Sequence, residues 1–278
     1  MSKVWLITGA GSGIGAGTAK AAVQAGDRVV ATARDLDKVR DALRDVTGEN
    51  LAFVQLDVAD EGQAKAAVEE AVRQFGRIDV LVNNAGYSLL GNFEEMATAD
   101  IERQFAANFY GVVYLMRAVL PVMRKQRSGH VINISSVAGV VGLKHCAVYG
   151  ATKFAVEGLS LSVATEVEQF GIKITVVEPG FFRTGLLDAR NVQYANDTIE
   201  DYKAEGSTRE MWSPYHGTQQ GDPARLGDAL VKIAAMESPL KLFVAGSDAL
   251  TTITPAIEAR LKATRADEAL SRSTDGSF

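Results

Sequence analysis

Short β-branched runs alternate with amphipathic stretches along nearly the whole chain, and no other feature narrows the fold as far. The strand candidates are "KVWLIT" (3–8), "RVVATA" (28–33), "LAFVQL" (51–56), "IDVLVN" (78–83), "HVINIS" (130–135), "KITVVE" (173–178) and "KLFVAG" (241–246). Several are apolar throughout, as strands covered on both faces must be. Helical patterns fill 13–25, 35–47, 60–75, 98–126, 147–170 and 222–237. Asp35 and Asp60 stand where N-cap side chains belong, and Gly26, Gly76 and Gly171 where helices should end. Repeated strand–helix–strand units with short connections specify an α/β fold: a doubly wound parallel sheet of about seven strands, with right-handed crossovers and helices on both faces. The 278 residues fit a single domain, 1–278.

Two regions break the rhythm. The connection 181–221 is far longer than the few residues usual between elements. It carries Phe181, Phe182, Tyr194, Tyr202, Trp212 and Tyr215, too many aromatics for a disordered segment, and reads as a substrate lid. The other region, about 265–278, is polar and reads as a frayed tail.

Composition removes several function classes. The chain is 47% hydrophobic, enough for a sizeable core, yet no apolar run approaches the roughly 20 residues of a membrane span. The N-terminus lacks the apolar stretch of a signal peptide, so a cytoplasmic protein with no membrane partner is expected. The net charge of −5, with basic and acidic residues interleaved, does not suit a nucleic-acid binder. Cys146 is the only cysteine, and His130, His145 and His216 lie far apart, so neither a disulfide framework nor a metal site is expected.

"VWLITGAGSGIGAG" puts glycines directly after the first strand and at the opening of the first helix. Unpaired N–H groups and a partial positive charge at a helix N-terminus suit a pyrophosphate, and glycine lets the backbone come close to it. The spacing is TGxxxGxG, with Gly9, Gly13 and Gly15, instead of a GxGxxG starting at Gly9, because position 14 is Ile14. A tight turn that binds nothing is the alternative. No GKS or GKT follows, which disfavours an ATP-type phosphate loop. Dinucleotide folds that prefer NAD place an acid at the end of the second strand. Here that strand ends at Ala33 and is followed by Arg34, while Asp35 is better placed to cap the next helix. A guanidinium suits a 2′-phosphate, so NADP(H) is expected over NAD(H), unless Arg34 is merely a solvated loop charge.

Tyr149 and Lys153 lie four apart in "YGATK", on one face of a helix. Alone this is ordinary surface geometry. Beside a nicotinamide it becomes an acid/base unit, because a nearby ammonium favours the phenolate of a group whose pKa is otherwise about 10. "NISS" (133–136) closes a strand at the end where ligands of such sheets bind, and offers a hydroxyl to hold the substrate oxygen.

This succession of motifs resembles the short-chain dehydrogenase/reductase family, in its single-domain branch with the cofactor site first. The resemblance runs from residue 3 to about 184 and more weakly to about 246. It is carried by "TGAGSGIG" (8–15), "LDV" (56–58), "NNAG" (83–86), Asn108, "SS" (135–136), "YGATK" (149–153) and "PGFFRT" (179–184), in order. It implies that Tyr149 would transfer a proton to or from the carbonyl or hydroxyl oxygen. Lys153 would lower the pKa of Tyr149 and hold the nicotinamide ribose, Ser136 would orient the substrate oxygen, and Asn108 would position a relay water. Gly9, Ser12, Gly13, Ile14 and Gly15 would surround the pyrophosphate. Asp57 and Val58 would meet the adenine, and Asn84, Ala85 and Gly86 the adenosine side of the cleft. Pro179, Gly180, Phe182 and Thr184 would face the carboxamide. Asn108 as a simple buried helix asparagine stays open, and Cys146 and His145 read as packing residues. Two departures stand out: Thr152 where serine is usual, and Ser12 where many NADP users carry arginine or lysine.

The expected activity is NADP(H)-dependent reduction of an apolar or aromatic ketone, or the reverse oxidation of a secondary alcohol. An epimerase or dehydratase built on the same site, or a non-catalytic NADP(H) sensor, are the alternatives. Helices 98–126 and 147–170 look apolar on more than one face, which in this family accompanies a homodimer or homotetramer.

Overall fold

Five consecutive residues, Val4–Thr8 (β1), are fully buried because helices cover both faces of the strand they form. Parallel to it run Arg28–Ala33 (β2), Leu51–Gln55 (β3), Val80–Asn83 (β4), Gly129–Ile134 (β5), Ile172–Pro179 (β6) and Leu242–Ala245 (β7). They form one sheet in the order β3-β2-β1-β4-β5-β6-β7. This is a computed structural model, which describes residues 2–46, 48–188 and 191–276. Thr47, 189–190 and 277–278, which belong to the expected second helix, lid and tail, lie outside the described residues.

Alternation along each strand sorts the core into two layers. Trp5, Ile7, Val29 and Ala31 pack against Gly13–Gln24 (α1), Leu36–Ala42 (α2) and Pro223–Ala235 (which becomes α8). Leu6, opposite Val30 and Leu81 in the register, faces the other way with Val131. That second layer packs on Glu61–Phe75 (α3), Gly111–Gln126 (α5, after Thr98–Phe105, α4) and Ala147–Val167 (α6). Truncating such a buried leucine to alanine costs about 2–5 kcal/mol, so each strand's position is strongly specified.

The helix ends follow the capping residues. Asp35 accepts from the backbone N–H of Asp37 (3.0 Å) and Lys38 (3.2 Å), and Asp60 from that of Gln63 (3.0 Å). Gly26, Gly76 and Gly171 all take positive φ at or just past the ends of their helices. Helix α2 stops at Ala42, short of the expected 47, because Leu43 and Val46 turn back into the core. Within the stretch 98–126 an 18-residue window reaches a mean hydropathy of 1.4, long and apolar enough to cross a bilayer by those measures alone. Here Val112, Leu115, Val119 and Met123 lie on the sheet. A π-helical turn, Ala106–Tyr110, joins α4 to α5 and carries Asn108. Such turns insert a residue and re-aim the side chains around it.

The 181–221 segment is folded in short pieces. A parallel two-residue strand, Gln193–Tyr194, pairs with Leu89–Leu90, and a five-residue helix, Thr208–Trp212 (α7), opens with a capping box from Ser207. Beyond β7 the chain forms Ser247–Ala266 (α9), where no element was expected, and Glu268–Arg272 (α10) is helical within the 265–278 stretch expected to fray. Ala249 and Ile253 anchor α9 against Val137, and a Glu268–Arg272 ion pair spans α10.

Candidate active site

The order of the sheet reverses between β1 and β4, so the loops after those strands diverge and open a crevice at their C-terminal ends. A cavity of about 780 Å³ fills it. Thr8, the last residue of β1, accepts hydrogen bonds through Oγ1 from the backbone N–H of Asn84 (2.9 Å) and Ala85 (3.0 Å). Asn84 Nδ2 returns a bond to the Thr8 carbonyl at 2.9 Å and another to that of Gly9 at 3.2 Å. The two walls are thus stitched together at their base. Gly9 holds φ +66°, and a Cβ on Gly15 would collide with the Gly9 carbonyl and sit 2.5 Å from Asn84 Nδ2. Only glycine lets helix α1 begin that close to the turn.

Ser12 caps α1 with extended backbone and makes no side-chain cap bond, and the first turn holds no acidic residue. The N–H groups of that turn and the Ser12 hydroxyl therefore face the cavity uncommitted, as an anion site requires. At the end of β2 the Arg34 carbonyl accepts from Gln55 Nε2 (3.0 Å), leaving the exposed guanidinium on the cavity rim without an ion pair among the described residues. Lys38, one turn into α2, lines the same rim and was missed from sequence. Its signal was its place three residues after the Asp35 cap. On the far side, Asp57 has its N–H bonded to Gln63 Oε1 (2.9 Å) and its carboxylate to Ala59 N–H (3.0 Å), which fixes the Asp57–Val58 wall.

Opposite these lies the polar centre. Tyr149 and Lys153 project from one face of α6 into the cavity, and Ser136, just past β5, shares a hydrogen bond with the Tyr149 hydroxyl. Ser136 Oγ also accepts from Ala138 N–H at 3.1 Å, which orients it. Lys153 Nζ donates to the Ile134 carbonyl (2.8 Å) and lies 5.7 Å from the centre of the Tyr149 ring. The spacing alone leads one to expect the ammonium to draw the phenol's pKa down. In the structure burial outweighs it: the phenol is pushed up to about 12, with the Ser136 hydrogen bond acting in the opposite sense. Burial also brings the Lys153 ammonium down to about 8. The reason is that both groups are removed from water, which penalises the charged form of each. At neutral pH the phenol therefore keeps its proton.

Gly9, Ser12, Gly13, Ile14, Arg34, Asp57, Val58, Asn84, Ala85, Gly86, Ser136, Tyr149, Lys153, Pro179, Gly180, Phe182 and Thr184 all line this one cavity. Two of the residues singled out from sequence do not. Gly15 packs beneath the turn, and Asn108 stands behind Gly86, giving Nδ2–H to the Tyr87 carbonyl (2.9 Å) and accepting from Tyr87 N–H (3.1 Å). Cys146 lines the cavity as a buried thiol whose pKa burial pushes up to about 12, which suits packing and not nucleophilic chemistry. Thr184 and Phe182 lead into the 181–221 segment, where Phe181, Trp212 and Tyr215 stack with ring centres 5.6–6.2 Å apart. Phe181 and Trp212 also line the cavity.

Comparison with known proteins gives a consistent picture. The family model described as "short chain dehydrogenase" matches residues 3–195. An oxidoreductase, BOA17, of Botryotinia fuckeliana is 39% identical over 252 residues, 90% of this chain and 91% of that one. A 3-ketodihydrosphingosine reductase of Bacteroides thetaiotaomicron is 39% identical over 241 residues, 85% of each chain. Among solved structures, a short-chain dehydrogenase from Streptomyces avermitilis superposes with a TM-score of 0.90 at 36% identity, covering 99% of this chain and 100% of that one. ElxO, solved with NADP bound, gives 0.74 at 31% identity, covering 90% and 100%. A short-chain dehydrogenase/reductase of Burkholderia phymatum, solved with NAD, gives 0.78 at 25% identity, covering 100% and 98%.

Proposed function

This chain belongs to the short-chain dehydrogenase family, whose members act on CH–OH and C=O groups, and from that premise we propose that it is an NADP(H)-dependent carbonyl reductase or alcohol dehydrogenase for apolar or aromatic ketones and secondary alcohols. The observation that carries this reading is the Ser136–Tyr149–Lys153 centre, set across one cavity from a glycine turn.

The residues present fit a dinucleotide. The cradle at Gly9 and Gly15 has no room for a Cβ, the first turn of α1 has no side-chain cap, and Arg34 and Lys38 stand at the rim where a 2′-phosphate would lie. Asp57 and Val58 would flank the adenine, Asn84 to Gly86 the adenosine, and Pro179, Gly180, Phe182 and Thr184 the carboxamide. When bound, the cofactor supplies or takes up the hydride. The protein's own part is proton transfer: Tyr149, held neutral by burial, gives its proton to the oxygen of a ketone that Ser136 orients. Lys153 would hold the ribose hydroxyls and stabilise the phenolate left behind. Asn108 supports the site through the Tyr87 backbone, which it holds at both N–H and C=O. Apolar substrates suit the Phe181–Trp212 wall, and the Bacteroides relative is named for a ketone.

The test is NADPH consumption against a panel of lipophilic ketones, with NADH assayed alongside. Tyr149→Phe should lower kcat by about 10²–10⁴-fold and leave NADPH binding intact. Turnover surviving in that variant would overturn the mechanism, and equal efficiency with NADH would overturn the cofactor preference. We propose further that α5 and α6 pair with a second copy, since Tyr110, on the π turn that leads into α5, and Phe154 and Leu161, on α6, are 48%, 43% and 47% exposed. Light scattering at micromolar concentration should give a dimer or tetramer; a monomer refutes it.

A further inference from the structure

Lys153 is a buried cation, and its Nζ bonds one carbonyl, that of Ile134, at 2.8 Å. A buried ammonium is costly unless an opposite charge lies near it. Among the described residues no carboxylate lies within ion-pair reach of it, and the charge that acts on it is that of Glu157, one turn further along α6. Glu157 Oε1 and Ser135 Oγ are both inaccessible to solvent and have no hydrogen-bond partner beyond each other, and the Ser135 hydroxyl acts on the Glu157 carboxyl. Ser135 stands at the end of β5, its N–H bonded to the Val177 carbonyl of β6 at 2.8 Å. That bond brings it beside Glu178, a carboxyl only 4% exposed. Its hydroxyl is pressed against Gly139 close to the backbone and Cβ of Lys153, where a Cβ on Gly139 would collide with it. Three oxygen-bearing side chains, from α6, the end of β5 and β6, thus gather near the base of Lys153, whose amine the proposed mechanism uses.

We propose that Glu157 is the counter-charge that keeps Lys153 an ammonium inside the protein, and that Glu178 and Ser135 set when Glu157 carries that charge. Glu157 is a positioning residue in this scheme and touches no substrate. The groups that bear on it are few. Burial pushes its carboxyl up to about 7, the Ser135 hydroxyl lowers it, the Glu178 charge raises it and the Lys153 charge lowers it. The turn Val137–Gly139 brings no titratable group, and α9 packs there with Ala249 and Ile253. Burial likewise raises Glu178, so the two carboxyls hold protons more readily than exposed ones.

The inference rests on the oxidoreductase reading only for its catalytic consequence, and the test separates the two. The apo protein, labelled with ¹³C at glutamate carboxyls and lysine Cε, is titrated by NMR, with signals assigned from Glu157→Gln, Glu178→Gln and Lys153→Met. One carboxyl should titrate near 7 and vanish in Glu157→Gln. In that variant the Lys153 titration should move to lower pH. The alkaline limb of kcat/KM for a ketone that the wild type reduces should follow it by about half a pH unit or more, with NADPH affinity at pH 6 unchanged. Where Glu157→Gln does not fold, Ser135→Ala should raise the Glu157 titration and Glu178→Gln should lower it. A Glu157 signal in the ordinary carboxylate range, a Lys153 titration indifferent to Glu157→Gln, or both neighbours' variants moving Glu157 the same way would overturn the proposal. If the titrations behave as stated and no carbonyl is reduced, the activity reading has failed and the charge pair stands.

Discussion

At the base of the cleft, Thr8 and Asn84 stand 76 positions apart and bond side chain to backbone in both directions, beneath a turn in which a single methyl group would collide with a carbonyl. The 181–221 segment on the opposite side is assembled differently. Short helical turns, one two-residue strand pairing and an aromatic stack hold it, and the hydrogen bonds seen among its described residues run to its own turns, to 88–95 and to α9. The base is over-determined and admits little change. The cover is a surface whose side chains can be exchanged while its few anchors remain. That contrast suits a protein in which one side of the cleft takes a constant ligand and the other a variable one.

The sharpest way to break this division is at Gly15. A methyl there meets the Gly9 carbonyl and Asn84 Nδ2 together, and both are themselves fixed. Gly15→Ala should weaken NADPH binding by about a hundredfold, about 2.7 kcal/mol, measured by fluorescence titration. An affinity within a few-fold of wild type would mean that the base is not rigid. Trp212→Ala probes the other side with a smaller effect. Loss of one aromatic wall should lower kcat/KM for an aromatic ketone by about tenfold, about 1.4 kcal/mol, through KM, leaving NADPH affinity as it was. Equal damage to cofactor binding in the two variants would erase the distinction between the regions.

The same contrast explains what could be read from the sequence. Every motif of the base is local: "TGAGSGIG" contains both its strand end and its helix start, and "YGATK" sets its two side chains on one helical face without help from elsewhere. The strands were legible because burial on both faces makes those at the centre of the sheet, such as Val4–Thr8 and Val80–Asn83, nearly unbroken apolar runs. Helix α9 was not, since only Ala249 and Ile253 of its side chains are buried and threonines and Pro255 interrupt the pattern. Nor were Lys38 at the rim, the π turn that re-aims Asn108, and the Glu157–Ser135–Glu178 cluster, because each depends on elements that meet only after the sheet has formed. The fall of Lys153 and the rise of Tyr149 in pKa belong to the same class, as burial is a property of the whole fold.

The smallest effect should come from the cover's clearest anchor. Glu95 Oε1 accepts from the backbone N–H of Thr198 (2.6 Å) and Ile199 (2.7 Å), while Asn92 Nδ2 holds its other oxygen at 2.8 Å. The bond from Ile199, with those from Asn92 and Thr198, keeps this carboxyl below its usual pKa. A carboxyl lowered in the folded state lends its stability above the unfolded value, about 4.3, and loses it only as pH falls through the lowered one. The tie should therefore be indifferent to pH between about 5 and 8. In Glu95→Gln the oxygen remains but the charge does not, so the two N–H bonds weaken without being abolished. Amide exchange at Thr198 and Ile199, corrected for its intrinsic pH dependence, should quicken about threefold in the variant at every pH in that range, with NADPH affinity unmoved. Exchange that stays as slow as wild type would mean that the segment is held by its aromatic stack alone, and the cover would then be as rigid as the base it was set against.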